Sequence, residues 1–227
     1  MEYEIRGGAF PMVICTLQKG ETMKNETGAM AFMTSDMEMD TNTDGGLLKG
    51  LGRALSGDTL FFNFFTAQSD NQQIGFSSCT PGKIMAIKLD GTNTIIGQKN
   101  AFLAAEKSVD IDIHIRTRLG AGIFGGEGFI LQKFSNTGIV FLEIDGEVIE
   151  HDLQPGEKLL VDPGHIAAME ESVDFDIERV KGAKNIMFGE GLFFARIQGP
   201  GKVWIQTMPI SRLAESLIPY LPKPDSK

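Results

Sequence analysis

Three stretches of this chain resemble one another, and that self-similarity restricts the fold more than any single motif does. Leu17-Gln18-Lys19-Gly20-Glu21 returns as Leu153-Gln154-Pro155-Gly156-Glu157, with Leu89-Asp90-Gly91-Thr92-Asn93 in the same role between them. A second echo comes about fifteen residues later, as Ser35-Asp36-Met37-Glu38-Met39, Ser108-Val109-Asp110-Ile111-Asp112 and Ser172-Val173-Asp174-Phe175-Asp176. A third follows as Gly57-Asp58-Thr59-Leu60, Gly126-Glu127-Gly128-Phe129 and Gly189-Glu190-Gly191-Leu192. Residues 89–113 lie on 153–177 without a gap, with 8 of 25 positions identical, and 126–145 lie on 189–208 with 5 of 20. Residues 17–39 match 153–175 at 7 of 23 positions. Self-similarity at a fixed period means one supersecondary unit copied, with the copies packing on each other. The units are expected at 11–82, 83–146 and 147–210. The first is lengthened by an insertion at 41–56, and a helix and tail follow at 211–227.

Each unit reads as short strands. Met12–Leu17, Ile84–Leu89 and Val148–Leu153 open the units and end in a polar turn containing glycine or proline. Val109, Ile111, Ile113 and Ile115 then alternate with Asp110, Asp112, His114 and Arg116. Val173, Phe175 and Ile177 alternate with Asp174, Asp176 and Glu178, and Met37 and Met39 with Asp36, Glu38 and Asp40. Strict period two buries one face and wets the other. Apolar strand pairs close the units: Phe129–Phe134 with Ile139–Ile144, and Leu192–Ile197 with Val203–Thr207, matched by Phe61–Thr66 in the first. The expectation is an all-β fold of three tandem β-sandwich repeats. Two segments read as short helices. One is Leu47 to Leu55, whose glycines cost about 1 kcal/mol each. The other is Pro209 to Tyr220, with Ser211 as the expected N-cap.

A chain of 227 residues can bury roughly 70% of its unfolded surface without staples. Thirty acidic residues against twenty-one basic ones give a formal charge of -9. Such a surface repels nucleic-acid phosphates and anionic lipid, both of which bind through Lys/Arg clusters. The two cysteines, Cys15 and Cys79, form no C-x-x-C and suit a reducing compartment. With no signal peptide and no apolar run long enough to span a bilayer, the expected location is the cytoplasm.

Candidate sites resolve mostly into structure. Gly120-Ala121-Gly122-Ile123-Phe124-Gly125 has the G-x-G-x-x-G spacing, but a strand follows it where a dinucleotide site needs a helix. The acidic strand faces could draw a cation, yet carboxylates at i and i+2 on a strand diverge into solvent, so a solvated face that discourages edge aggregation is the reading preferred. His114, His151 and His165 have no metal-ligand spacing. Met23, Met30, Met33, Met37 and Met39 fall on Leu159, Ile166, Met169, Val173 and Phe175, which makes them expected core. No catalytic residue, cofactor site or metal site is predicted. The one segment set apart is the insertion, whose Leu47, Leu48, Leu51 and Leu55 have helical spacing and no counterpart in the other units. They are candidates for packing on a partner subunit or for touching a membrane.

The Gly-Glu-Gly-Phe/Leu echoes, Gly199-Pro200-Gly201-Lys202-Val203-Trp204-Ile205-Gln206-Thr207 and the segment Leu48–Asp58 carry a further signal. Through them the chain resembles the bacterial members of the altered-inheritance-of-mitochondria family, a domain of unknown function. The resemblance implies a fold similar to that of the trp RNA-binding attenuation protein, related to double-stranded β-helices, with three small sandwich units per chain and chains joined in a trimeric ring. It implies no catalytic or ligand-binding residues. RNA binding is not expected, because the corresponding exposed strands here are acidic. The function expected is a non-catalytic, ring-forming scaffold or binding protein. The alternatives are a peripheral membrane organiser acting through residues 47–55 and an enzyme whose site lies between subunits.

Overall fold

The computed structural model describes residues 1–26, 28–43, 61–117, 129–179 and 193–221. Nineteen strands and one short helix make up these residues, together with three single 3-10 turns. The fold is all-β. An opening strand β1 (Glu2–Arg6) precedes three groups of six. The first group is β2 (Met12–Leu17), β3 (Thr22–Asn25), β4 (Met30–Met33), β5 (Met37–Thr43), β6 (Phe61–Ala67) and β7 (Gln72–Ser77). The second is β8 (Gly82–Asp90), β9 (Ile95–Gln98), β10 (Phe102–Glu106), β11 (Asp110–Thr117), β12 (Phe129–Ser135) and β13 (Thr137–Asp145). The third is β14 (Val148–Leu153), β15 (Lys158–Val161), β16 (Ile166–Glu170), β17 (Asp174–Arg179), β18 (Phe193–Gln198) and β19 (Gly201–Gln206). Helix α1 (Ile210–Leu217) ends the described chain with a 3-10 turn at Ile218–Tyr220.

The strands form four sheets, in the orders β1-β2-β7-β4, β5-β6-β3-β10-β13-β8, β11-β12-β9-β16-β19-β14 and β15-β18-β17. Adding six to each strand number of the second sheet returns the third. Each six-stranded sheet is therefore two halves from consecutive groups, joined where β3 pairs with β10 and where β9 pairs with β16. All the pairings are antiparallel. Three apolar cores lie between successive sheets: one around Val13, Cys15, Phe65, Phe76 and Phe141, one around Phe62, Phe102, Phe134 and Leu142, and one around Phe129, Leu131, Ile166, Ile197 and Val203.

Local chemistry recurs at corresponding places because the same backbone problem recurs. In each group the third strand carries a register shift of one residue, at 30/32, 102/104 and 166/168, and such a bulge leaves the ladder locally disrupted. Near it, Glu106 Oε2 accepts from Ile139 N at 2.7 Å and Glu170 Oε2 accepts from Lys202 N at 3.0 Å. In the first group the hydroxyl of Thr34 accepts from Gln73 N at 3.1 Å. The turns that follow Leu17, Leu89 and Leu153 are closed the same way: Glu21 Oε2 accepts from Gln18 N (2.8 Å), Asn93 Oδ1 from Asp90 N (2.8 Å) and Glu157 Oε2 from Gln154 N (2.9 Å). Gly138, second in β13, and Gly201, first in β19, have φ +143° and +135°, where a Cβ would meet Val109 and Val173 at 3.0 and 2.9 Å. Only glycine is at ease there.

The residues before the first unit form a strand, β1, which pairs with β2 from Glu2↔Thr16 to Arg6↔Met12. Two expectations need correction. Ser211 does not cap the last helix. Pro209, fixed near φ -53°, holds the N-cap position, and the freed N–H of Ile210 donates to Asp145 Oδ2 at 2.7 Å. Of the five methionines expected in the core, Met23 and Met37 are buried and Met30 is partly so, whereas Met33 and Met39 are exposed. Met33 is exposed for a reason shared with the site described next: no described strand covers it.

Candidate functional site

Among the described strands, β4 and β15 are the two whose counterparts lie inside a sheet while they themselves end one. β10 and β16, the counterparts of β4, are each flanked on both sides, and so are β3 and β9, the counterparts of β15. The exposure of corresponding residues follows this difference. Lys24 and Ile96 are 0% and 2% exposed, yet Leu160 in the same position on β15 is 58% exposed. Ala104 and Ala168 are fully buried, while Phe32 is 38% exposed; Ala105 and Met169 are buried, while Met33 is 36% exposed. A strand edge with apolar side chains is a template for another strand.

At both inner junctions further contacts tie the halves together. Lys107 N donates to Thr22 O (3.0 Å), and Glu171 N to Thr94 O (3.2 Å). Lys133 Nζ meets Glu171 Oε1 at 2.5 Å across the β9–β16 junction. Across the β3–β10 junction, Lys107 Nζ sits 5.9 Å from the Phe64 ring centre. Lys24 is buried beside Phe62, its ammonium 5.3 Å from that ring centre, a cation–π arrangement that offsets part of its desolvation.

Clefts open beside the same two junctions. One of about 320 Å³ is lined by Gln98, Asn100, Glu143, Gly164 and Gln206, with α1 along its rim. The other, of about 360 Å³, is lined by Glu26, Gly28, Ser77, Asn100 and Glu143. Their polar groups are largely committed to the fold. Glu143 Oε2 accepts from Ser78 Oγ (2.7 Å) and Cys79 N (3.3 Å). Asp145 accepts from Thr80 Oγ1 (2.5 Å) as well as from Ile210 N. Gln206 donates to Gly164 O at 2.9 Å and accepts from Asp145 N at 3.1 Å. Burial raises Glu143 above the ordinary carboxylate range, against the lowering effect of its two donors. Burial likewise pushes the Cys15 thiol up to about 12, which keeps it protonated and unreactive.

The acidic strand faces point into solvent. On the last sheet Arg196 lies across three of the carboxylates, 3.2 Å from Asp174, 3.6 Å from Asp176 and 3.1 Å from Glu178. Among the described residues no group of three or more His, Cys, Asp or Glu is placed to hold a metal ion. His114 lies on β11, His151 on β14, and His165 in the 3-10 turn Pro163–His165, where its Nδ1 bonds Gln206 O at 2.8 Å. Cys15 and Cys79 are both free thiols. Leu47, Leu48, Leu51 and Leu55 lie outside the described residues, as do the Gly120–Gly125 motif and the glycine-rich third echo. No described helix is long and apolar enough to cross a membrane. Sequence reasoning missed the open edges, although one signal was present: Phe32 is bulky where the neighbouring units carry Ala104 and Ala168.

The profile of the mitochondrial biogenesis AIM24 family matches residues 3–208. The chain belongs to this family. The matched region spans nearly every described strand, from β1 to β19. An uncharacterised protein of Streptococcus pyogenes serotype M6 is 27% identical over 226 residues, covering 96% of this chain and 89% of that one. A crystal structure of a Streptococcus pyogenes protein superposes with a TM-score of 0.78 at 24% identity, covering 97% of this chain and 99% of the other. That likeness extends the fold to a solved structure.

Proposed function

We propose that this AIM24-family chain is a non-catalytic scaffold that works as a self-associated ring. Three copies of a six-stranded sandwich unit, at 11–82, 83–146 and 147–210, make up one subunit of the attenuation-protein type, and subunits join as a closed trimer. The observation that carries this reading is the pair of unmatched half-sheets, β1-β2-β7-β4 and β15-β18-β17. Apart from β1, together they have the composition of one more shared sheet. The two surfaces differ from each other, so association is head to tail, and head-to-tail contacts must close into rings or run on as filaments.

The chemistry of the clefts supports a scaffold over a catalyst. Asp145, one Glu143 oxygen and Gln206 are bonded to hydroxyls and backbone groups that define the unit boundaries. The outward carboxylates and the charge of -9 favour protein or small-molecule partners over nucleic acid. Two free thiols fit a reducing cytoplasm. Light scattering coupled to gel filtration tests the ring. A mass three times that of the chain at micromolar concentration is expected, and a monomer mass would remove the proposal.

A further inference from the structure

We propose that β15 of one copy adds antiparallel to β4 of the next, with Leu160 opposite Met33, Leu159 opposite Thr34 and Val161 opposite Phe32. The inference rests on the association reading above and specifies its partner surface: a second copy of this chain, in one register.

The register comes from the two junctions the chain makes with itself. At β9–β16, Ile95, Ile96 and Gly97 face Glu170, Met169 and Ala168. At β3–β10, Met23 and Lys24 face Glu106 and Ala105. The gapless alignment of 17–39 with 153–175 places Leu159, Leu160 and Val161 on Met23, Lys24 and Asn25, and it places Phe32, Met33 and Thr34 on Ala168, Met169 and Glu170. Pairing inside each sheet supports the same frame, because Lys24, Ile96 and Leu160 face Phe64, Lys133 and Arg196 on their inner neighbours. The inner partners thus agree at all three positions, and the outer partners at the two where the chain supplies them.

Two further features follow from this register. Where Lys107 reaches Phe64 and Glu171 reaches Lys133 at the inner junctions, Arg196 faces Ser35 of the next copy, with Asp36 beside it. Arg196 is already shared among three carboxylates of its own sheet, so this end of the interface offers no net attraction to Asp36, and the apolar pairs of the two edges set the register. The clefts obey the same correspondence. Glu26, Gly28 and Ser77 stand with Asn100 and Glu143 in one; Gln98, Asn100 and Glu143 stand with Gly164 and Gln206 in the other. The next member of the series is Asp162, Gly164 and Gln206 with Gly28 and Ser77 of the neighbouring copy. That third cleft has only half its wall in a single chain and is completed by docking.

Cysteine cross-linking tests the register, with Cys79→Ser in every variant and the buried Cys15 retained. Mild oxidation of the Met33→Cys, Leu160→Cys chain is expected to give covalent trimers on a non-reducing gel. The offset pair Met33→Cys, Lys158→Cys is expected to stay monomeric on the same gel. Cross-linking of the offset pair alone, or of neither pair in a protein that light scattering shows to be oligomeric, would overturn the register and leave the association reading standing. A monomeric wild-type protein would overturn both.

Discussion

The β9–β16 junction and the outer edge of β15 are built from corresponding residues, yet one is dry and the other wet. Ile96 sits against Met169 with both side chains buried, while Leu160 stands in the corresponding place with more than half its surface in water. The pattern of apolar positions is the same at both. The difference lies in what stands opposite. A chain of repeated units solves its edge problem internally wherever a neighbour exists and exports the problem at its ends. Exposed apolar strand edges invite pairing, and full burial of a Leu or Phe side chain is worth about 1.5–3 kcal/mol. Leu160, Phe32 and Met33 therefore retain a substantial fraction of that gain for a partner to realise.

The sharpest way to break the comparison is to place the same charge on both sides of it. Ile96→Asp buries a carboxylate in an apolar core, opposite a Lys133 that Glu171 already holds, at a cost of roughly 3–5 kcal/mol, and thermal unfolding should fall by on the order of 10 °C in a chain this long. Leu160→Asp should leave the far-ultraviolet spectrum of the folded chain intact and abolish association in light scattering. If both variants lost the fold, or if Leu160→Asp still assembled, the two positions would not differ as argued.

How much of this was legible beforehand depends on whether the determinant is local. Strand positions were, because alternation such as Val173, Phe175 and Ile177 against Asp174, Asp176 and Glu178 depends only on neighbours two residues apart. The turn chemistry of Glu21, Asn93 and Glu157 was legible as an echo, though not as a hydrogen bond. The β1 strand escaped notice because it has no counterpart in the other units, and Glu2–Arg6 alternates too briefly to stand out. The methionines misled for a physical reason. Met33 aligns with the buried Met169, but Met169 lies beside β9 inside a sheet and within an apolar core, and the chain supplies no described strand to cover β4. Which half-sheets find partners is a property of where the series stops, which no window of residues contains.

A smaller effect separates the inner bulges from the outer one. Glu106→Ala and Glu170→Ala each strand a backbone N–H, that of Ile139 and Lys202 respectively. Loss of a charge-assisted acceptor there should cost about 1.5–3 kcal/mol. Thr34→Ala removes a neutral acceptor from Gln73 N at a site open to water, with a loss of about 0.5–1 kcal/mol. Urea denaturation of the three variants measures the order. Equal losses would mean that the open edge of β4 is already covered in the species being measured, so the series should be repeated on the Leu160→Asp background.

The smallest expected effect concerns Glu143, a cleft carboxylate that burial holds above its ordinary range. Ser77, Glu143 and Gln206 occupy corresponding places on β7, β13 and β19, so two of the three are neutral. For Glu143 the folded state binds its proton more tightly than the unfolded state does, because desolvation outweighs the help of Ser78 and Cys79. Its contribution is therefore most favourable below the usual glutamate range and is lost as pH rises through the folded value. The opposite sign belongs to Glu21, which hydrogen bonds from the N-terminal ammonium and Gln18 hold below its ordinary range, and whose contribution is lost as pH falls through that lowered value. Glu143→Gln installs the group found at 206, keeps an acceptor for Ser78, and removes the charge. The variant should gain slightly in stability near neutral pH and show no gain at pH 4, giving a flatter stability profile between the two. A constant difference across that range would mean that the change acts through packing alone, and that the cleft at the β3–β10 junction is wetter than its walls indicate.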